Sequence, residues 1–330
     1  MNSKPLIAQC RMTPAHETSH DAANRRHGDV RLARVFARRT NATPNDSLAF
    51  FGPPDMFPVN ADACHISVTF TYDLPIAERL ARQWKAVGPV TIGGPALGEP
   101  SGEFVPGRYL AIGNVITSRG CPNRCWFCLA AKREKTIREL PIRDGWRIHD
   151  DNLLATSRAH QDGVFAMLRR QRMPASFVGG FEAARFTDWH VEQLLSLKVA
   201  CLFFAYDTED DWEPLVEACK KLDKAKWRFG HRTRCYVLCG YPGDTTLEAE
   251  RRVRRACNLG LFPQAMVYRD VKGTVPRGWS AFARIWSRPA ITYRLLADKG
   301  TRSCLDGLGA YERALAKRQE IPIDAEEMTQ

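Results

Sequence analysis

Six short apolar runs, each separated from the next by more than twenty residues, are the feature that most constrains the fold of this chain. They have the length and composition of buried strands and lie at 109–117, 145–149, 175–179, 201–206, 234–239 and 264–268. Helical periodicity fills the gaps after the second run, at 153–172, 188–197, 213–226 and 247–259. Strands and helices that alternate in this way build a parallel sheet with right-handed crossovers. The pattern predicts an α/β fold whose sheet forms an open, partial (β/α)6 barrel over residues 107–270.

A smaller α/β unit is predicted before this region, at residues 31–100. A strand pattern at 63–70, a helical pattern at 75–84 and a strand pattern at 90–92 lead to the sequence Gly-Gly-Pro. This succession resembles the closing half of a Rossmann-like fold.

The segments outside these two regions carry weaker patterns. Residues 1–30 are polar and without hydrophobic period, which predicts a loosely held tail. The Gly- and Pro-rich stretch at 95–106 predicts a linker. Residues 271–330 begin rich in Trp and Arg, and we interpret them as a C-terminal extension that either covers the barrel as a lid or packs as further helix.

Three cysteines follow the first apolar run in the spacing C-x3-C-x2-C, at Cys121, Cys125 and Cys128. Thiolates this close repel one another, so the spacing indicates a loop that holds a metal. Three ligands are one fewer than a closed zinc site has, and one fewer than usually hold an iron–sulfur cluster. If the three are the complete protein set, one metal position is open to a substrate.

The cysteine spacing resembles the signature of the radical S-adenosylmethionine (radical SAM) enzymes, and Phe127, the aromatic residue before the last cysteine, also matches. The resemblance implies a [4Fe–4S] cluster on the three cysteines, whose fourth iron binds the amine and carboxylate of S-adenosyl-L-methionine. It implies reductive cleavage of that cofactor to a 5′-deoxyadenosyl radical, which abstracts hydrogen from a substrate. Methylation, sulfur insertion, rearrangement and oxidation all stay open as outcomes, so the enzyme is expected to be an oxidoreductase or a transferase.

Polar residues after the later strands resemble the cofactor-contacting motifs of the same superfamily. Asp150, Asp151 and Asn152 follow the second strand, where family members hold the cofactor amine; capping of a helix is the alternative. Glu182 and Arg185 follow the third strand and are expected to bind the cofactor ribose or carboxylate, or else to pair with each other on the surface. The resemblance also assigns to the cofactor or substrate Tyr206, Asp207, Gly240, Pro242 and Gly243.

Two other functions compete with this prediction. The Gly-Gly-Pro of the small unit resembles the radical SAM subgroup with an N-terminal cobalamin-binding domain, so a cobalamin-dependent methyltransferase is one alternative. The cobalamin motif Asp-x-His-x-x-Gly is absent, because Asp62-Ala-Cys-His65 has the wrong spacing and lacks the glycine. The second alternative is a non-catalytic nucleic-acid-binding protein with a structural zinc, to which His149 or His160 would supply a fourth ligand.

The net charge of +11 indicates acidic partners. Eight basic and three acidic residues lie from Arg119 to Arg147, around the cysteines. The expected partner is an acidic electron donor such as flavodoxin or ferredoxin, which would dock on Arg119, Arg124, Lys132, Arg133 and Lys135. Nucleic acid and phosphorylated metabolites are further partners that a basic surface favours.

Cysteine usage and hydropathy predict the compartment. Eleven cysteines, an odd number, without a secretory signal favour a reducing cytoplasm. No apolar stretch approaches the length of a membrane span, so no membrane partner is expected.

Overall fold

A computed structural model of the chain describes residues 30–56, 58–98, 102–270, 272–289 and 292. The predicted tail at 1–30, except its last residue, and most of the predicted extension at 271–330 therefore lie outside the described residues. The described residues divide into two compact units, one that runs to residue 202 and includes 270 and 272–274, and the other that spans 203–269 and the described residues from 275 onward. The predicted domain bounds at 31–100 and 107–270 stay a prediction.

The first unit begins with a four-stranded parallel sheet. Its elements are β1 (Leu32–Phe36), β2 (Ala49–Phe51), β3 (Ala63–Ser67), helix α1 (Leu74–Trp84) and β4 (Val90–Gly93). The strand order is β2–β1–β3–β4, and each neighbouring pair is parallel. Strands β1 and β2 have no counterpart among the predicted strands.

Helix α1 covers this sheet with the face that its sequence predicts. Ala77, Leu80 and Trp84 recur at helical spacing and are buried. Trp84 is fully buried, and its indole N–H donates to the carbonyl of Gly52 at 2.9 Å, so the polar atom of this large side chain is satisfied. The helix and strands therefore share one apolar core with Val35 and Ile66.

The rest of the first unit alternates strands and helices. In chain order these are β5 (Asn114–Val115), β6 (Ser118–Arg119), α2 (Leu129–Arg133), β7 (Arg138–Glu139), β8 (Arg147–Ile148), α3 (Arg158–Arg170), β9 (Ala175–Phe181), α4 (Asp188–Leu195) and the first half of β10 (Val199–Tyr206). The strand order is β5–β8–β9–β10, with β5, β8 and β9 parallel. Strands β6 and β7 form a separate antiparallel pair.

Several predicted elements of this region are wrong in extent; the strand predicted at 145–149, for example, comprises only Arg147–Ile148. The strand predicted at 109–117 pairs only at Asn114–Val115, because Gly113 takes a left-handed φ of 91° against the ring of Trp146 and breaks the extended run. The helix predicted at 153–172 is a single 3-10 turn at Leu153–Ala155 and then α3. Ser157 caps α3, since its hydroxyl accepts from the amide of His160 at 3.2 Å.

The second unit contains the end of β10, α5 (Trp212–Lys224), β11 (Gly230–Cys239), α6 (Thr246–Asn258), β12 (Leu261–Val267) and α7 (Trp279–Trp286). The strand order is β10–β11–β12, and β11 pairs with β12 in parallel. Thr245 caps α6, because its hydroxyl accepts from the amide of Glu248 at 3.2 Å. Gly260, with φ at 82°, ends the turn after that helix.

The predicted α/β class with parallel sheets is confirmed in both units. In each unit, neighbouring strands of the β5–β12 region mostly follow one another along the chain with a helix between them. Among the described residues, none of the helices has the length and apolarity needed to cross a lipid bilayer.

Candidate metal centre

The three cysteines lie on a loop that its own strands close at the base. We name residues 120–137 the cysteine loop; β6 precedes it and β7 follows it, with Ser118 opposite Glu139 in an antiparallel register. Gly120 opens the loop with φ at 85°, and a Cβ there would lie 2.1 Å from the carbonyl oxygen of Thr136. The amide of Cys121 donates to the carbonyl of Glu134 at 3.0 Å. The loop therefore leaves and rejoins the body of the unit at one place.

The donor chemistry of this loop fits a metal cluster, whereas a finished ligand set is not formed. All three cysteines are half-buried. Burial raises the pKa of the Cys121 thiol, Asn152 lowers it by hydrogen bonding, and the nearby Cys128 raises it further through charge repulsion. Among the described residues, no three His, Cys, Asp or Glu side chains converge as a metal site. The evidence that this loop suits a metal cluster is therefore that three soft thiol donors lie on it.

Asp150 fixes the segment that leads into the cysteine loop. Its side chain is buried and accepts from the Thr117 amide and hydroxyl, each at 2.6 Å, and from the Ser118 hydroxyl at 2.8 Å. Burial raises the pKa of this carboxyl against the opposing effect of those donors. Both carboxylate oxygens of Asp150 therefore already have hydrogen-bond partners within the protein.

Asp151 binds both ends of the cysteine loop. Its Oδ2 accepts from the amide of Gly120 at 2.9 Å, and its two oxygens accept from Arg133 at 3.0 and 3.1 Å. The side chains of this ion pair are 15% and 6% exposed, so both charges are largely removed from water.

Asn152 connects the loop to the end of β9. Its Nδ2 donates to Cys121 Sγ at 3.4 Å and to Glu182 Oε2 at 2.7 Å, and Glu182 also accepts from Arg185 at 2.7 Å. Asn152 is 5% exposed, and its Oδ1 has no hydrogen-bond partner among the described residues. A buried acceptor beside Cys121 is thus available to a donor group from a ligand.

Comparisons with models of protein families, with curated proteins and with solved structures found no match to this chain. The assignment of a function therefore depends on the residues of the site.

Neither histidine of the zinc alternative is placed with the cysteines. His149 Nε2 lies 2.8 Å from Asn114 Oδ1, and burial with the charge of Arg147 lowers the pKa of His149 to about 4. His160 Nε2 lies 3.2 Å from Thr117 Oγ1, and its other ring nitrogen lies 3.8 Å from Glu139. Both rings therefore have partners away from the thiols.

Two of the five basic residues predicted to dock an electron donor are not on the open surface. Arg133 is 6% exposed and paired with Asp151, so the prediction is wrong for this residue. Arg119 is half-buried, and burial lowers the pKa of its guanidinium. Exposed cations remain at Arg124, Lys132 and Lys135. A count of charges along the sequence does not distinguish a buried arginine from a solvated one.

The aromatic residue of the cysteine signature lies in the first unit as well. Phe127 is half-buried and meets the ring of Trp126 edge to face, with ring centroids 5.4 Å apart. Trp126 itself is half exposed.

The other predicted cofactor residues lie in the second unit. Tyr206 is fully buried, and its hydroxyl donates to Glu209 at 3.0 Å and accepts from Arg255 at 2.6 Å. Burial, with the charge of Asp211, raises the pKa of Asp207 to about 7. A carboxyl group with a pKa raised in this way is suited to proton transfer, whereas the hydroxyl of Tyr206 already has two partners.

The turn at 240–244, which holds the predicted residues Gly240, Pro242 and Gly243, is fixed by its last residue. Asp244 Oδ2 accepts from the amide of Gly240 and from Arg252, each at 2.8 Å. A Cβ on Gly240 would lie 2.9 Å from the indole of Trp279, so the flat ring that approaches this glycine belongs to helix α7. Pro242 and Gly243 lie within the same turn, and Gly243 has φ at 86°.

Replacing Arg252 by methionine is expected to lower the free energy of unfolding by about 3–5 kcal/mol, because a fully buried Asp244 carboxylate would lose its cationic partner. Urea unfolding followed by tryptophan fluorescence measures the change. The matched control is Lys220→Met, which breaks the exposed pair with Glu217 and is expected to change the free energy of unfolding far less. Equal losses in the two variants would contradict the structural role of the buried pair.

Proposed function

We propose that this chain is a radical SAM enzyme in which Cys121, Cys125 and Cys128 hold a [4Fe–4S] cluster. The observation that supports this most is Asn152 Oδ1, a buried hydrogen-bond acceptor that has no partner among the described residues and belongs to a side chain next to Cys121. Cys121 lies on a loop that carries three cysteines and no fourth. When bound, the cluster and S-adenosyl-L-methionine supply an electron and a hydrogen-abstracting radical. The chain's own residues bind the cofactor, orient it and exclude water.

The side chains next to Cys121 suit the amino-acid end of the cofactor. Asn152 Oδ1 is a buried acceptor without a partner, and the Glu182 carboxylate beside it is an anion; together they suit an ammonium group. Arg185 is paired with Glu182 and 44% exposed, so its guanidinium suits the cofactor carboxylate or ribose. Asp150 and Asp151, by contrast, act on the loop itself.

We also propose that the strands from β5 to β12 belong to a partial (β/α)6 barrel. Sequential parallel strands joined through helices are the connectivity of such barrels, whose chemistry lies at the carboxyl ends of the strands. Asp150, Asp151 and Asn152 follow β8 directly, and Glu182 follows β9. The C-terminal extension is proposed as the lid.

Cobalamin is not favoured, because the cavity described at the small parallel sheet is too small to enclose it. The cavity after β1 and β3, lined by Arg38, Thr40 and Thr69 among others, has a volume of about 50 Å³, far below that of a site for a ligand of drug size. His65 lies within β3 instead of on a loop, and burial lowers the pKa of its imidazole to about 4. Its ring packs against Gly93 and Tyr109.

The proposed electron donor is a small acidic protein, such as flavodoxin or ferredoxin, in the cytoplasm. Arg124, Lys132 and Lys135 are exposed on or next to the cysteine loop, and Trp126 is half exposed among them. Cations around an exposed aromatic ring suit an acidic surface with an apolar centre.

Metal analysis of the anaerobically prepared chain tests the proposed function. We expect about four irons per chain and brown absorbance at about 400 nm, as for a [4Fe–4S] protein. One zinc per chain without colour would overturn the proposal in favour of the structural-zinc alternative. A preparation that binds neither metal after reconstitution with iron and sulfide would also overturn it.

A further inference from the structure

One carboxylate joins the two arms of the cysteine loop. Asp151 accepts from Gly120, directly before the first cysteine, and from Arg133, five residues after the last one. We propose that Asp151 and Arg133 are positioning residues, a latch that holds the three thiols in place before any metal binds. The proposal rests on the proposed function for its purpose, since the latch would prepare the loop for its cluster.

Because the Asp151–Arg133 pair is largely buried, we infer that it fixes the arrangement of the cysteine loop more than it stabilises the fold. Two largely buried charges gain little net free energy over an apolar pair, but either one left alone is strongly unfavourable. The guanidinium fork also requires a definite geometry at the carboxylate, which a hydrophobic contact does not. The pair therefore selects one arrangement of the loop.

Neighbouring contacts hold the same two arms. Cys121 donates its amide to the carbonyl of Glu134, the residue after Arg133, at 3.0 Å. Glu134 in turn accepts from Arg138, at the start of β7, at 2.6 Å. The Asp151 carboxylate connects both arms of the loop to the segment after β8, next to the contact of Asn152 with Cys121 Sγ. Opening the latch would therefore free the thiols from Asn152 while β6 and β7 stay paired.

The latch would be useful because it arranges the cysteine loop before the cluster binds. Three thiolates that bind one cluster repel one another, and a mobile loop loses conformational entropy when it binds the cluster. A latch at both arms removes part of that cost before binding. The expected result is a metal-free loop that is already restrained.

Alkylation of the metal-free chain by iodoacetamide, resolved by peptide, tests the latch. Trypsin cleaves after Arg119, Arg124 and Lys132, so Cys121 falls in one peptide and Cys125 with Cys128 in another. Arg133→Met and Asp151→Ala are each expected to accelerate alkylation of these peptides about tenfold or more, since local opening exposes the thiols. Glu217→Gln, which breaks an exposed pair elsewhere, is the matched control and should leave the rates unchanged.

The signs of the two changes separate a latch from a simple charge effect. Loss of a cation near thiols lowers the thiolate fraction and slows alkylation, whereas loss of an anion raises that fraction and speeds it. Opposite changes in Arg133→Met and Asp151→Ala would therefore overturn the proposal, and so would unchanged rates. Acceleration in both variants supports it.

A reference cysteine and a further variant show whether the loop opens locally or the whole chain unfolds. Buried Cys64, in β3, should keep its slow rate; acceleration there as well would mean general unfolding and would overturn a local latch. Arg133→Lys retains the positive charge but cannot make the two-armed guanidinium contact with the carboxylate. If the other two variants do not fold, this variant serves instead, and its alkylation rate is expected to lie between that of the wild type and the accelerated rate predicted for those variants. Iron content is measured separately, so a latch without iron would refute the proposed function alone, and iron without a latch would refute this inference alone.

Discussion

Replacing any one of Cys121, Cys125 and Cys128 by alanine is expected to abolish bound iron and brown colour in the anaerobically prepared protein. The proposed cluster has only three protein ligands, so loss of one thiolate would leave too few to retain it. Iron content, absorbance at about 400 nm and reductive cleavage of S-adenosyl-L-methionine measure the loss.

The control for this prediction is a cysteine of similar exposure outside the loop. Cys201, half-buried in β10, fits that requirement, and Cys201→Ala should retain iron and colour. Iron and cleavage that persist in a loop variant, or vanish equally in Cys201→Ala, would refute the assignment of the ligands.

Acidification from pH 6.5 to about pH 4 is expected to destabilise the first unit by roughly 3 kcal/mol for each of three histidines. Burial lowers the pKa of His65, His149 and His190 to about 4. The unfolded chain binds these protons near pH 6.5 and the folded chain does not, so stability is full above that pH and falls as the pH drops. Urea unfolding at several pH values measures the slope.

One carboxyl group of the same unit acts in the opposite sense. The raised pKa of Asp150 means that the folded state favours its protonated form, so its contribution is lost as the pH rises and partly offsets the histidines on acidification. His149→Asn should remove about one third of the acid loss. His231→Asn changes an exposed histidine of β11 and should leave the slope intact. A slope equal to wild type in His149→Asn would contradict the prediction.

The fold was predictable from the sequence where periodicity was long. Helix α1 was predicted from Pro75 and begins at Leu74, because three apolar positions at helical spacing mark its buried face. The strand predicted at 109–117 failed because Gly113 must fold around Trp146, a contact more than thirty residues away in sequence. The short strand β2 lacks enough residues to show any period.

The site was predictable in its residues but not in their roles. Parallel strands bring the residues at their carboxyl ends to one edge, so Asn152 and Glu182 could be predicted to meet, and they do. The partnership of Asp151 with Arg133 could not, because an arginine after the cysteines looks like surface charge until its burial is known. No local pattern marks an ion pair between residues eighteen apart.

The antiparallel pair β6–β7 has a consequence for how this region can change over evolution. Because that ladder ends the excursion where it started, residues can be inserted or deleted between its arms without shifting the alignment of β5 against β8. The cysteine loop can therefore change in length and composition while the pairing of β5 with β8 is kept.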